Sequence, residues 1–447
     1  MVKFRLDPAN LTFAGQKIHY AWVVVGLAAL MRLTSSSFRT SSSVLIPRLV
    51  ESFGWSYGAV GLGFSIQWIV SGLFGPLAGG MGDRYGVRVT MVVGALLFIA
   101  GMVLTGTMSH LWQFYLFFGV LLSSAMGIFQ VPLTAAVTLW FRKHLGVGIG
   151  ILQASQGLGP LVAVPIMLFI LNWFGGGVDG IRAAFWLPGL AGGAALLLLI
   201  TLFHNEPADL GLRPLGASSE ELIRRLQRGE VARARSKAFL HQVQRTTTFW
   251  NLIGIHFWGC AGHSIIIVYL VAMAEAKGVT EAAAAGTFVA LTVSSSITRF
   301  VVPVVADRVG SKWAMGTSFF LQTAPVLMLF FANEPWMFYV FATMFGIGFG
   351  GEMSAFPIIN RQYYGGAPIG ATFGWQMMGS GVGMAAGSLA GGQLRDLTGD
   401  FTATIALSFT MSLIGVLPIL LLPATTRPLL PDWEEALPEE IRSPAPP

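Results

Sequence analysis

The stretch GGMGDRYGVRVTM, residues 79–91, decides the fold, because a near copy of it, VPVVADRVGSKWAM, occurs at residues 302–315. Both copies carry Asp-Arg-x-Gly after a long apolar segment, and their aspartates, Asp83 and Asp307, are 224 residues apart. The motifs QGLG (156–159) and SGVG (380–383) have the same offset. Equal offsets at two places are hard to obtain by chance, so the sequence predicts two halves of like topology.

The composition indicates an integral membrane protein. Of the 447 residues 54% are hydrophobic and only 11% are charged, whereas about a quarter of the residues in a soluble globular protein are charged. The chain contains twelve apolar segments of about 20 residues or more, long enough to cross ~30 Å of hydrocarbon as helix. The predicted spans are residues 20–46, 56–81, 88–108, 112–139, 146–172, 183–203, 248–274, 283–305, 313–332, 336–359, 369–391 and 402–423. We therefore expect an all-α membrane protein of twelve transmembrane helices in two pseudo-symmetric six-helix halves.

The twelve spans divide the chain into four regions. We predict an N-terminal half (1–203), a linker (204–247), a C-terminal half (248–424) and an acidic, proline-rich disordered tail (425–447). The linker is predicted to contain an amphipathic helix that begins with the S-x-x-E pattern of Ser218 and Glu221. Parallel repeats of this kind place a substrate site near the bilayer midplane, between the halves.

The distribution of basic residues predicts the orientation. Lys and Arg are concentrated in the loops on one side of the predicted spans, which puts both termini in the cytoplasm of a multi-pass plasma (inner) membrane protein. The net charge of +6 then reflects topology rather than nucleic-acid binding. The polar first nineteen residues precede no small-residue cleavage site, so we do not expect the first span to be a removed signal peptide. The only cysteine, Cys260, lies in a span, so we expect neither an intramolecular disulfide nor a thiol metal site. No cofactor or other metal site is predicted.

Four side chains that carry a charge at neutral pH lie well inside the predicted spans, namely Arg32, Arg39, Arg299 and Glu352. Each charge at the bilayer centre costs at least about 2.5 kcal/mol, so the excess of positive charge requires compensation by water or by an anionic ligand. Arginine suits a carboxylate because its planar fork donates two parallel hydrogen bonds. Arg32 and Arg39 lie two turns apart on one helix face, within a serine-rich stretch (34–43) that could line a cavity or pack helices. A salt bridge between Arg32 and Glu352 is an open alternative.

Glu352 has two interpretations. It is either a proton-coupling carboxylate or a permanently ionised partner of an arginine. His263 is a candidate proton carrier, because histidine changes charge near neutral pH. His256 and His263 lie seven residues apart on one apolar helix, where hydrogen-bonded packing is the alternative role.

The D-R-x-G loops resemble those of the major facilitator superfamily, and several segments resemble its bacterial monocarboxylate and oxalate/formate carrier branch. These segments are FGWSYGAVGLGFSIQWIVSGLFGPLAGGMGDRYGVR (53–88), LWQFYLFFG (111–119), EPADLGLRP (206–214) and TRFVVPVVADRVG (298–310). The resemblance implies an alternating-access carrier of small organic anions, working by proton symport or anion exchange. It also implies that Arg299 binds the substrate carboxylate. The chain departs from the branch in two places: span 11 has no lysine, and Ser295 replaces an aspartate of the mammalian type.

The same resemblance implies further roles. The polar or amphipathic residues of spans that line the superfamily's cavity are predicted substrate contacts, with helix–helix hydrogen bonding as the alternative: Gln130, Gln153, Gln156, Trp375 and Gln376. The loop residues Asp83, Arg84, Asp307 and Arg308 are interpreted as gating parts, since an aspartate can accept hydrogen bonds from a helix N-terminus.

Other functions remain open at this stage. An inorganic anion or an organophosphate is an alternative substrate, and a non-transporting membrane sensor or scaffold is the alternative of another class. We predict no enzymatic activity, because the sequence presents no nucleophile–base pair. The expected partners are a small organic anion, protons or a counter-anion, and the lipid bilayer; the sequence does not predict an oligomeric state.

Overall fold

A computed structural model describes most of the chain. The described residues are 12–13, 16–17, 19–55, 57–218, 223, 229–426 and 428–442.

The described part of the chain contains twelve long helices, and each corresponds to one predicted span. Spans 1 to 12 are Tyr20–Ser41, Tyr57–Tyr85, Val87–Gly106, Leu111–Leu139, Leu145–Trp173, Val178–Leu202, Thr247–Ala276, Glu281–Val309, Ser311–Phe330, Pro335–Tyr364, Gly370–Thr398 and Thr402–Leu420. Among the described residues, eight of these helices are long and apolar enough to cross a membrane by length and hydropathy alone. The predicted fold class, twelve helices in two like halves, is confirmed.

Several helices depart from regular α geometry. Span 1 ends at Ser41 rather than at residue 46, and the chain continues through a 3₁₀ turn, Ser42–Leu45, into the short helix Ile46–Phe53. Span 4 is π-helical over Tyr115–Leu122, and span 9 ends in a 3₁₀ segment, Ala324–Phe330. Two short strands, Thr12–Phe13 and Gln16–Lys17, pair in antiparallel fashion before span 1.

The linker contains a helix, Gly229–Gln244, that carries polar and basic residues over most of its length. The predicted start of this helix cannot be compared, since Glu221 lies outside the described residues. The linker helix contacts the N-terminal half through the ion pair of Arg84 with Glu230. The linker helix therefore lies next to the ends of spans 2 and 3, which carry the first D-R-x-G motif.

The prediction that the tail is disordered is wrong for residues 428–442. Trp433 and Leu437 are buried, and the chain makes two 3₁₀ turns, Trp433–Ala436 and Glu439–Ile441. Arg235 of the linker helix holds Glu434 at 2.5 Å and lies over the indole of Trp433. The acidic, proline-rich composition suggested disorder, but two apolar anchors and one ion pair dock the tail on the basic linker helix.

Glycines let the two halves approach closely along two seams. Spans 2 and 11 meet where Gly72 and Gly75 lie against Gly381 and Gly374, and a Cβ added at Gly75 would lie 2.5 Å from the Gly374 carbonyl oxygen. Spans 5 and 8 form the matching seam, where Gly150 packs on the backbone of Phe300. Both seams run from the D-R-x-G loops to mid-span, which is where the cavity described next begins.

Candidate functional site: a cavity between the halves

A cavity lies between the two halves. Spans 2, 4 and 5 of the N-terminal half and spans 7, 8, 10 and 11 of the C-terminal half contribute its walls. The polar and charged side chains among its lining residues are Ser71, Gln130, Gln156, His263, Arg299 and Ser380, and the large apolar ones include Trp68, Phe349, Met353, Met377 and Met384. A site shared by both halves is the position that the internal repeat predicted.

Arg299 is the cation that lines the cavity. Its side chain is buried, and its guanidinium lies 5.0 Å from the centre of the Phe349 ring. Nε donates to the Ser295 hydroxyl at 3.3 Å, whereas Nη1 has no hydrogen-bond partner among the described residues. A buried, under-coordinated arginine is costly unless an anion completes its coordination.

Arg32 is held by its own half of the molecule. Nη1 donates to the Thr134 hydroxyl at 2.8 Å and Nη2 donates to Oε1 of Gln156 at 3.0 Å. The alternative of a salt bridge between Arg32 and Glu352 is therefore wrong for this structure. Since Gln156 lines the cavity, Arg32 lies directly behind the wall and adds positive charge there.

Glu352 pairs with a histidine rather than with an arginine. Its side chain is fully buried, and Oε2 lies 2.9 Å from Nδ1 of His263. The thiol of Cys260 lies 3.9 Å from the other carboxylate oxygen, and the Gln322 amide approaches His263 Nδ1 at 3.5 Å. Nε2 of His263 has no hydrogen-bond partner among the described residues. Glu352 thus orients an imidazole that lines the cavity.

Cys260, His263 and Glu352 lie together, with a sulfur, an imidazole nitrogen and a carboxylate oxygen within 4.8 Å of one another. The sequence did not predict this grouping, because the residues belong to spans 7 and 10. Their mutual contacts already satisfy the thiol, which hydrogen-bonds Ser380 at 3.0 Å, and one carboxylate oxygen.

The predicted amide contacts divide into two groups. Gln130 and Gln156 line the cavity. Gln153 is buried beside it and donates across the halves to the Met353 carbonyl at 3.2 Å. Gln376 instead pairs with the buried amide of Asn360 at 2.7 and 3.0 Å, and Trp375 packs on the core of the C-terminal half, so neither lines the cavity in this conformation. Met377, the residue after Gln376, and Ser380, one turn further along span 11, line the cavity instead.

In the serine-rich stretch of span 1, several hydroxyl groups donate hydrogen bonds to backbone carbonyls of the same helix. The hydroxyls of Ser35 and Ser36 donate to the Arg32 carbonyl, and Thr34 donates to the Leu30 carbonyl. These bonds within the helix favour the packing role over the cavity role for these residues. The Arg39 side chain lies outside the described part of the structure, so its predicted substrate contact stays a prediction.

The two D-R-x-G aspartates make equivalent contacts across the halves. Asp83 accepts from the backbone N–H of Ala371, at the start of span 11, at 3.1 Å. Asp307 accepts from the backbone N–H of Gly146, at the start of span 5. Each aspartate thus caps the N-terminus of a helix in the opposite half, where the helix dipole favours a negative charge. This end of the molecule is closed.

The gating arginines behave differently from the aspartates. Arg84 pairs with Glu230 of the linker helix rather than with the facing half, and the side chain of Arg308 is exposed. Arg361, which the sequence analysis did not single out, makes the cross-half contact instead by donating to the Thr138 hydroxyl at 2.6 Å. The linker also takes part, because Ser236 donates to Asp83 at 3.0 Å.

Replacing Asp83 by alanine should open this end of the molecule. The change removes two hydrogen bonds to a carboxylate, from Ala371 and Ser236, each worth about 1.5–3 kcal/mol. We expect the ratio of open to closed forms to rise about tenfold or more. Spin labels at Tyr85 and Trp313, both exposed near the two loops, report this change as a longer distance by double electron–electron resonance. Asp396→Ala, at an exposed aspartate of span 11, is the control, and an equal effect there would contradict the gating role.

Twelve spans in two like halves, with a polar cavity between them and a closed end beside it, are the architecture of a membrane transporter. The sequence profile of the Major Facilitator Superfamily matches residues 28–261 and 252–445. The chain belongs to this superfamily.

Individual relatives agree with this membership. The chain is 24% identical to the oxalate:formate antiporter of Oxalobacter formigenes over 418 residues, covering 91% of this chain and 93% of that protein. It is 23% identical to monocarboxylate transporter 13 of Bos taurus, covering 90% and 89%. Among solved structures, the human organic anion transporter MFSD10 superposes with a TM-score of 0.69 at 15% identity, covering 90% of this chain and 99% of that one. The fucose transporter FucP in its outward conformation gives 0.67 at 14% identity, covering 90% and 99%.

Proposed function

We propose that this chain is a secondary active transporter that moves a small organic anion, a mono- or dicarboxylate, by proton symport or anion exchange. In this proposal both termini lie in the cytoplasm of a plasma (inner) membrane, so the D-R-x-G loops form the inner gate. The carrying observation is Arg299, a buried cation that lines the cavity between the halves and has an unpartnered Nη1. Such a group binds anions, and its planar fork matches a carboxylate.

The names of the relatives support an anion as cargo. The two curated relatives described above are an oxalate:formate antiporter and a monocarboxylate transporter. The departures from that branch are compatible with the cavity. Span 11 has no lysine, but His263 of span 7 and Ser380 of span 11 supply polar groups to the cavity. Nε of Arg299 donates a hydrogen bond to the hydroxyl of Ser295, the residue that replaces the aspartate.

The closed end suggests how transport proceeds. With Asp83 and Asp307 capping the opposing helices, the inner ends of the halves are held together and the cavity is closed toward the cytoplasm. Substrate binding at Arg299 would neutralise the buried charge, and inward opening would then require both caps to break. The linker helix, which donates to Asp83 through Ser236, connects this gate to the docked tail.

Uptake into liposomes tests the proposal. Purified protein is reconstituted and supplied with radiolabelled acetate, oxalate, phosphate or glucose, with and without an imposed proton gradient or an internal anion. We expect accumulation of a carboxylate that is driven by one of the two gradients. Uptake of glucose or phosphate alone would refute the substrate class, and carboxylate binding without any uptake would favour the sensor alternative.

A further inference from the structure

We propose that His263 is a second substrate ligand, whose Nε2 atom takes up a proton and holds the second carboxylate of a dicarboxylate bound to Arg299. The inference rests on the proposed function and narrows it to the way in which the cavity distinguishes dicarboxylates from monocarboxylates. Four observations support it. His263 and Arg299 line the same cavity wall, and each has a buried nitrogen without a hydrogen-bond partner among the described residues. The orientation of the imidazole is fixed by Glu352, and the charges around the cavity favour a proton when a dicarboxylate is bound.

His263 and Arg299 share one wall of the cavity. Both residues line it, and both contact the ring of Phe349, with the guanidinium carbon 5.0 Å and the imidazole centre 4.8 Å from the ring centre. Each side chain has one buried nitrogen without a hydrogen-bond partner among the described residues, Nη1 of Arg299 and Nε2 of His263. Unsatisfied buried polar atoms are costly. Two of them on one cavity suit a ligand with two acceptor groups.

Glu352 determines which imidazole nitrogen faces the ligand. Its carboxylate lies 2.9 Å from Nδ1 and accepts a hydrogen bond from it. An imidazole that donates through Nδ1 carries its next proton on Nε2, which is the unpartnered nitrogen. Protonation therefore changes Nε2 from an acceptor that repels a carboxylate into a charged donor that binds one.

Polar and charged groups from spans 7 to 10 surround His263. Cys260 on the same helix contacts Glu352 and Ser380, Gln322 of span 9 is neutral, and Arg299 of span 8 is cationic. His256 on the same helix is stacked on Phe356 at 3.9 Å. Among these described groups Glu352 is the anion and contacts Nδ1 of the imidazole, whereas Arg299 is the cation with which a bound anion would pair.

The charge balance at the cavity separates the two ligand classes. With a neutral His263, the described ionised side chains Arg32, Arg299 and Glu352 sum to a formal charge of +1. A bound monocarboxylate brings this sum to zero, so it needs no proton. A bound dicarboxylate leaves one negative charge, which a proton on His263 balances. Dicarboxylate binding is therefore coupled to the uptake of one proton, and monocarboxylate binding is not.

Binding of oxalate and acetate across pH tests this inference. The two ligands have the same number of carbons, and their dissociation constants are measured on detergent-purified protein between about pH 6 and pH 8, the range in which histidine titrates. For wild-type protein we expect oxalate affinity to rise by up to about tenfold for each pH unit lowered, the slope of one linked proton. Acetate affinity should change less than about twofold over the same range.

Two His263 variants make the test specific. His263→Asn retains a donor toward Glu352 but has no atom at the Nε2 position, so oxalate affinity should fall at least about tenfold while acetate affinity is unchanged. His263→Gln places a neutral amide on the cavity side, so it should bind oxalate without the pH dependence. Ser264→Ala, on the same helix and bonded to the Ala261 carbonyl, should retain the wild-type pH profile, and thermal unfolding of each variant reports its folding.

The outcomes separate this inference from the proposed function. If oxalate binding remains pH-dependent in both His263 variants, or if acetate and oxalate weaken equally, His263 is not a second ligand. Carboxylate binding that still requires Arg299 would leave the transporter proposal standing in that case. If neither acid binds wild-type protein at any pH while another solute does, the proposed substrate class itself fails.

Discussion

We expect Arg299→Met to abolish carboxylate binding and, at the same time, to raise the melting temperature of the ligand-free protein. The loss of binding follows because truncating one partner of a buried, hydrogen-bonded charge pair costs about 2–5 kcal/mol, which weakens affinity at least about 30-fold. The gain in stability follows because the guanidinium of Arg299 is buried in the ligand-free site. Among the described residues it donates one hydrogen bond, to the Ser295 hydroxyl. An apolar side chain of similar length keeps the packing on Phe349 and removes the desolvated charge.

The two readouts are measured together by thermal unfolding with and without ligand. A ligand that binds only the folded state adds about 2.7 kcal/mol at a hundredfold its dissociation constant. This increment should be present in wild-type protein and absent in Arg299→Met, whose baseline should lie about 2 °C or more above that of wild type. Arg299→Lys keeps the charge but loses the fork, so we expect about a tenfold weaker affinity.

Arg395→Met is the matched control for the arginine result. This arginine lies on span 11, is about half exposed, and pairs weakly with Asp396 at 3.7 Å. The substitution should change neither the baseline nor the ligand increment, since exposed pairs contribute little. A lower melting temperature in Arg299→Met with an undiminished ligand increment would mean that Arg299 is structural.

The fold could be predicted because the sequence contains two copies of the pattern of one six-helix half. Apolar length alone locates the spans, and the equal offset of the two D-R-x-G motifs assigns them to halves. The capping role of Asp83 and Asp307 could also be anticipated from the preference of carboxylates for helix N-termini. The specific partners could not, since Ala371 and Gly146 carry no distinguishing side chain and donate through their backbones.

The pairings inside the cavity were less predictable than the presence of the charges. Composition shows that Glu352 needs a partner, but the rotation of span 10 decides between Arg32 on span 1 and His263 on span 7, and periodicity does not encode that rotation. The rotation of span 11, which periodicity likewise does not encode, places Met377 and Ser380 in the cavity instead of Trp375 and Gln376. The order of the tail was missed because it depends on one tryptophan docking on Arg235, a contact between distant residues.

Gly79→Ala and Gly80→Ala, neighbours on span 2, should have opposite effects. Both changes raise helix propensity by about 1 kcal/mol. A Cβ at Gly80 has nothing within 4 Å, so that substitution should be neutral or stabilising. A Cβ at Gly79 would meet the backbone of span 11, including the Ala371 nitrogen at 2.9 Å and the Gly370 carbonyl. Backbone atoms cannot rotate away as side chains do, so the clash should cost up to about 3 kcal/mol.

The clash at Gly79 exists only while spans 2 and 11 are in contact. The substitution should therefore shift the population toward the form that is open at the D-R-x-G end, by up to about a hundredfold, without unfolding the halves. Spin labels at Tyr85 and Trp313 measure the shift, and uptake assays should show slowed transport for Gly79→Ala alone. If both variants keep the short distance and transport at the wild-type rate, the glycine seam is not the surface on which the halves close. The seam and the Asp83 cap lie on the same two spans, so combining Gly79→Ala with Asp83→Ala should give less than the sum of their separate effects.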